Sequence, residues 1–96
     1  MEWKRRKRTT IAEYIMDWLL SKQDGSQIYS HDIQQDCTTY VRTMKNGNVL
    51  PSTVERAWRK LRNENFTSLR NRGIELKANG MHLKYGEHSW TLMLNM

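Results

Sequence analysis

Periodic apolar positions divide the chain into a few short elements. In the first, Ile11, Tyr14, Ile15, Trp18 and Leu19 recur at helical spacing behind Thr10-x-x-Glu13. That pair forms a capping box, in which the Thr10 hydroxyl accepts a backbone N–H and Glu13 reaches back. Asp24 and Gly25 then supply turn chemistry. The spacing predicts an amphipathic helix of about three turns with its apolar stripe in the core. "SQIYS" predicts one brief strand at Ile28 and Tyr29. Ser30 is placed to cap a second helix, with Asp32 favoured by the dipole of its first turn. Ile33, Cys37, Tyr40, Val41 and Met44 make the apolar face of that helix, and "KNGN" at 45–48 is a turn. Cys37 lies within the stripe and reads as a small buried hydrophobe.

The third element is "LPSTVERAWRKLRNEN". Pro51 holds Leu50 extended, and Ser52-x-x-Glu55 offers a second capping box. Val54, Ala57, Trp58 and Leu61 share one helical face. Ser52, Arg56, Arg59 and Asn63 point the opposite way. Thr53 and Lys60 border that outer face on one side, Glu55 and Arg62 on the other. In "NFTSLRNRG", Phe66 and Leu69 are expected to dock on the core from a loop or one helical turn.

The pattern then changes to period two. "IELKANGMHLKY" contains Asn79-Gly80, a two-residue hairpin signal. A turn there sets Ala78 against Met81, Leu76 against Leu83 and Ile74 against Tyr85. All six would lie on one side, with Glu75, Lys77, His82 and Lys84 on the other. "GEHS" reads as a further turn, and "WTLMLN" as a last strand with Trp90, Leu92 and Leu94 inward.

Charge adds to this picture. Residues 1–8 carry five bases and one acid, residues 9–51 three bases and five acids, and residues 52–96 eight bases and four acids. Positive charge thus concentrates on an N-terminal arm, Lys4, Arg5, Arg6, Lys7 and Arg8, and on the third element, Leu50 to Asn65. Such segregation suits a polyanion. Five adjacent like charges repel, so the arm is expected to be flexible, and residues 9–96 to form one domain. Cys37 is the single cysteine, which precludes an internal disulfide. "TTIAEYIMDWLL" is interrupted by Glu13 and Asp17, no apolar run reaches membrane-spanning length, and a cytoplasmic location is expected. His31, His82 and His88 do not make metal-ligand spacing with Cys37, and no Gly-rich phosphate loop occurs. No catalysis, cofactor or small-molecule ligand is expected.

Three short helices followed by a β-ribbon is the order of the winged helix-turn-helix family, which the chain resembles over about residues 9–95. "STVERAWRKLR" looks like the recognition helix of bacterial and phage winged-helix regulators: Ser/Thr opens it, an apolar residue follows, and Arg comes two positions later. The resemblance implies an α+β fold, a three-helix core with a C-terminal antiparallel β-ribbon of two or three strands. It also implies a sequence-specific double-stranded DNA-binding protein, a small transcriptional regulator. The third helix would enter the major groove through Ser52, Thr53, Arg56, Arg59, Lys60, Arg62 and Asn63, with Arg56 foremost in reading bases. Arg70, Arg72, Lys77, His82, Lys84 and His88 would bring a wing and its flank to the backbone or minor groove. The Asn79-Gly80 and Gly86–Ser89 turns are both candidates for the wing tip. The connection between the second and third helices, roughly Met44 to Pro51, is longer than in a simple helix-turn-helix. Met93 and Met96 offer a surface for a homodimer. An RNA-binding winged helix, and a protein-interaction module or accessory factor of replication or recombination, are the alternative readings.

Overall fold

The computed structural model describes residues 9–82 and 87–94. Helix α1 (Ile11–Leu20) starts at the expected capping box. The Glu13 N–H donates to Thr10 Oγ1 at 3.1 Å, and the Thr10 N–H donates to Glu13 Oε1 at 2.9 Å. Strand β1 (Gln27–Tyr29) comes next. Helix α2 (Ser30–Asp32) then runs without a break through a π-helical turn, Ile33–Cys37, into α3 (Thr38–Lys45). At the wide turn the Thr38 hydroxyl donates to the Ile33 carbonyl, five residues back. Asn46 ends α3 in the left-handed region, φ 59°, within the expected turn.

Two caps differ from expectation. Ser30 lies inside α2, and Asp32 instead accepts the Tyr29 N–H at 3.0 Å. Helix α4 (Pro51–Asn63) is capped by Leu50, with Pro51 in its first turn, so Ser52 and Glu55 form no capping box. Proline makes that box unnecessary: its fixed φ suits the first helical position, and it has no N–H to satisfy. Glu55 is thereby left to other partners.

The end of α4 forms a Schellman closure. The Phe66 N–H donates to the Leu61 carbonyl and the Asn65 N–H to the Arg62 carbonyl, with Asn65 at φ 60°. The chain enters α5 (Thr67–Arg70), the single-turn option for this stretch. Phe66 and Leu69 are both buried, as expected.

The C-terminal strands correct the hairpin expectation. Strand β2 (Ile74–His82) runs straight through Asn79-Gly80 and pairs with β3 (Glu87–Leu94). The pairing sets Ile74 against Leu94, Leu76 against Leu92 and Ala78 against Trp90. Asn79 is the extra residue of a β-bulge, and Gly80 takes φ 83°. An Asn-Gly pair tolerates positive φ, and a bulge uses that tolerance as well as a turn does. The longer register wins because it places Ile74, Leu76, Trp90 and Leu92 together in the core. Ala78, expected inward, is exposed beside the bulge. Glu87, His88 and Ser89 belong to β3 rather than to a second turn, and Ser89 is buried. The expected partners Leu83 and Tyr85 lie outside the described residues, as do Lys84, Gly86, Met96 and the arm.

The three strands form one antiparallel sheet in the order β1-β3-β2. β1 joins it through Gln27–Thr91, Ile28–Trp90 and Tyr29–Ser89. On the bulge, Asn79 Nδ2 donates to Gln27 Oε1 at 2.8 Å, and Thr91 Oγ1 donates to Asn79 Oδ1 at 3.1 Å. This polar clip ties all three strands. The core fills the space between helices and sheet: Ile15, Trp18 and Leu19 from α1, Ile33, Cys37 and Val41 from the second helical rod, Val54, Trp58 and Leu61 from α4, with Phe66, Leu69 and the sheet residues. Met44, assigned to the apolar face, stands 54% exposed at the end of α3.

Candidate nucleic-acid interface

Helix α4 is held along its whole length. Val54, Trp58 and Leu61 are buried, each such apolar side chain contributing about 1.5–3 kcal/mol. Its N-terminus is positioned by a clamp from α3: Arg42 Nε donates to the Val49 carbonyl at 2.8 Å, and Val49 is itself buried. This contact compensates for the long connection, because it ties the loop back to the preceding helix. Nothing in the sequence spacing singled out Arg42.

Ser52, Arg56, Arg59 and Asn63 are exposed, and Thr53 is half-buried beside them. Arg56 forms no ion pair among the described residues. Arg59 stands 3.8 Å from the Glu55 carboxylate one turn earlier, and its side chain remains 65% exposed. An exposed i,i+4 pair of this kind contributes only a few tenths of a kcal/mol, so Arg59 can leave it for a stronger partner.

The two borders of the helix differ. Lys60 is exposed on the α1 side, at the rim of an open hollow of about 380 Å³ floored by Ile11, Ala12, Ala57 and Leu61. Glu64 closes the same hollow; the Ser68 hydroxyl, and then the Ser68 N–H that its carboxylate accepts at 2.9 Å, hold its pKa below the usual range. Arg62 faces the sheet instead and lies over Trp90. Glu55 meets the π-helical turn, where Gln34 Nε2 donates to its Oε2 at 3.1 Å.

The remaining sequence candidates scatter. Arg70 bonds weakly to Thr67 Oγ1 at 3.4 Å. Arg72 stands between the carboxylates of Glu13 and Asp17 on α1, at 3.7 and 3.9 Å. Lys77 is exposed on β2, opposite Thr91. His88 is exposed on β3, its ring 6.3 Å from that of Trp90. His82 ends β2 opposite Glu87. The arm residues Lys4, Arg5, Arg6, Lys7 and Arg8, together with Lys84, lie outside the described residues. The structure therefore gathers Ser52, Arg56, Arg59 and Asn63 on one face, sets Lys60 at its α1-side border and Arg62 at the seam with the sheet, and engages Arg72 with acids of α1.

The Cys37 thiol is fully buried, and burial pushes it up to about 12 from 9.0. Among the described residues no three His, Cys, Asp or Glu side chains gather where they could hold a metal ion, and no helix is long and apolar enough to cross a membrane. No family model, curated protein or solved structure matches the chain.

Proposed function

We propose that the chain is a sequence-specific double-stranded DNA-binding protein of the winged-helix type, a small transcriptional regulator that inserts α4 into the major groove. The observation carrying this reading is the division of α4. Val54, Trp58 and Leu61 fix one face to the core, while Ser52, Arg56, Arg59 and Asn63 stand exposed on the other. A duplex reader needs such a rigid rod with free donors. The element order gives further support: a helix, a short strand, the α2–α3 rod, α4 and the single-turn α5, then two paired strands of which the second lies between the other two of the sheet. On this reading the β2–β3 ribbon serves as the wing beside α4.

Duplex is favoured over single-stranded RNA by the fate of the large rings. Trp18, Trp58, Trp90 and Phe66 are all buried, so among the described residues these large rings are withheld from stacking on bases. One module of this size reads few base pairs, so a second copy or a partner is expected to complete an operator. Met93, 45% exposed on β3, is the described apolar residue offered for that contact.

The test is retention of random-sequence duplex at low salt, with structured RNA as competitor. Duplex binding that disappears in the Arg56→Ala/Arg59→Ala double variant supports the reading. Retention of no duplex, or preferential retention of RNA, overturns it.

A further inference from the structure

Glu55 is the only acid in α4. It sits beside Arg59, where a carboxylate opposes attraction to phosphates. It is also more constrained than an ordinary surface glutamate. Gln34 Nε2, from the π-helical turn, donates to its Oε2 at 3.1 Å, and the Arg59 guanidinium stands 3.8 Å from the same oxygen. Oε1 receives no hydrogen bond among the described residues, and the side chain is 39% exposed. Two neighbours thus hold one oxygen and leave the other as an acceptor on the flank of the exposed face.

An ionised carboxylate can only accept. On a duplex, phosphate oxygens repel it, and the major-groove donors are the exocyclic amines of cytosine and adenine. The adenine amine adjoins the N7 acceptor, which repels a carboxylate; on cytosine itself the amine is the sole polar group in that groove. We infer that Glu55 is a specificity-determining residue that selects a cytosine through its N4 amine, and that Gln34 is the residue that positions it. This rests on the reading of α4 as the groove-inserted helix. Arg59, released from its weak pair, is then free to take a neighbouring guanine or phosphate.

The experiment is selection from a random duplex pool by the wild-type chain and by Glu55→Gln, Glu55→Ala and Gln34→Ala, each verified as folded by circular dichroism. The wild type is expected to enrich a motif with one cytosine position that depends on residue 55. Glu55→Gln moves that position to adenine, since glutamine pairs with the adenine N6 and N7. Glu55→Ala erases the preference there, roughly five-fold or more, and tightens binding to random duplex. Gln34→Ala keeps the motif and weakens the cytosine preference, a change that simple loss of stability would not produce. Glu55→Gln is nearly isosteric and keeps the test open if an alanine variant fails to fold. Variants at Glu55 that enrich the wild-type motif to the same depth overturn the inference and make Glu55 an ion-pair residue alone. A wild type that retains duplex without any motif also overturns it while leaving DNA binding intact. A wild type that retains no duplex overturns the functional reading itself.

Discussion

The guanidinium of Arg62 lies over the Trp90 ring, 5.3 Å from its centroid, and so fastens the last turn of α4 to β3. Trp90 in turn meets Trp58 edge-on at 5.2 Å and Phe66 at 6.3 Å. One exposed cation thus covers the aromatic junction between the candidate reading helix and the sheet. Cation–π contacts at such sites contribute about 0.5–1 kcal/mol. Arg62→Ala is expected to lower stability by that amount in urea denaturation. It should weaken duplex binding less than Arg56→Ala, because Arg62 is already engaged.

Arg56 makes the opposite case. It is exposed and forms no ion pair among the described residues, so its removal should leave the melting temperature unchanged. If about six bases neutralise phosphates, log K falls with log[salt] at a slope near −5, about 0.9 per contact. Titrations at several salt concentrations separate the two roles of Arg56. A base-reading Arg56 leaves the slope as it is and flattens sequence preference on substitution. A phosphate-binding Arg56 reduces the slope by about 0.9 on substitution.

The bulge in β2 is fixed by backbone and side chain together. Gly80 holds φ 83°, a conformation that costs an L-residue about 1–2 kcal/mol. Beyond its two chain neighbours, no atom of the described residues lies within 4 Å of the Cβ that an alanine would add, so the cost of Gly80→Ala is conformational. Asn79→Ala removes the clip to Gln27 and Thr91 on an exposed surface, and should cost less. Denaturant midpoints of the two variants give the order.

Trp58 is buried with its indole N–H unpartnered among the described residues. Trp58→Phe removes that unsatisfied donor and keeps most of the ring, so its cost is expected well below that of Trp58→Ala, about 3–5 kcal/mol. Equal destabilisation by the two variants would show that the indole N–H has an energetic role the packing does not reveal.

Cys37 predicts an alkaline limit. Its pKa is raised in the folded chain, so its contribution to stability is complete below pH 9. As pH rises from 9.0 towards about 12, the unfolded thiol ionises while the folded one stays neutral, and stability falls. Thiol-reactive probes at neutral pH should modify Cys37 only as fast as the chain opens. Cys37→Ser, which titrates nowhere in this range, removes this component of the alkaline decline.

Much of this arrangement was legible in local pattern. The α1 capping box, the brief strand at Ile28 and Tyr29, the divided faces of α4 and the burial of Phe66 and Leu69 each come from periodicity and short-range chemistry. Those signals act within one or two turns of chain. The Asn-Gly signal misled because it reports a backbone tolerance, and both a turn and a bulge can use it. The Ser52 box failed because Pro51 starts the helix, with Leu50 as its N-cap, so Ser52 lies inside the first turn.

The residue pattern fixed which faces of the helices turn inward, where positive charge collects, and that α4 presents arginines to solvent. These depend on the spacing of side chains along a helix of known pitch. The register of the β-ribbon, the Arg42 clamp, the link from Gln34 to Glu55 and the seating of Arg62 on Trp90 depend on residues brought together from different elements. None can be read from one element alone, because each exists only once the elements pack around the common core that buries Trp58, Trp90, Ile74 and Leu92.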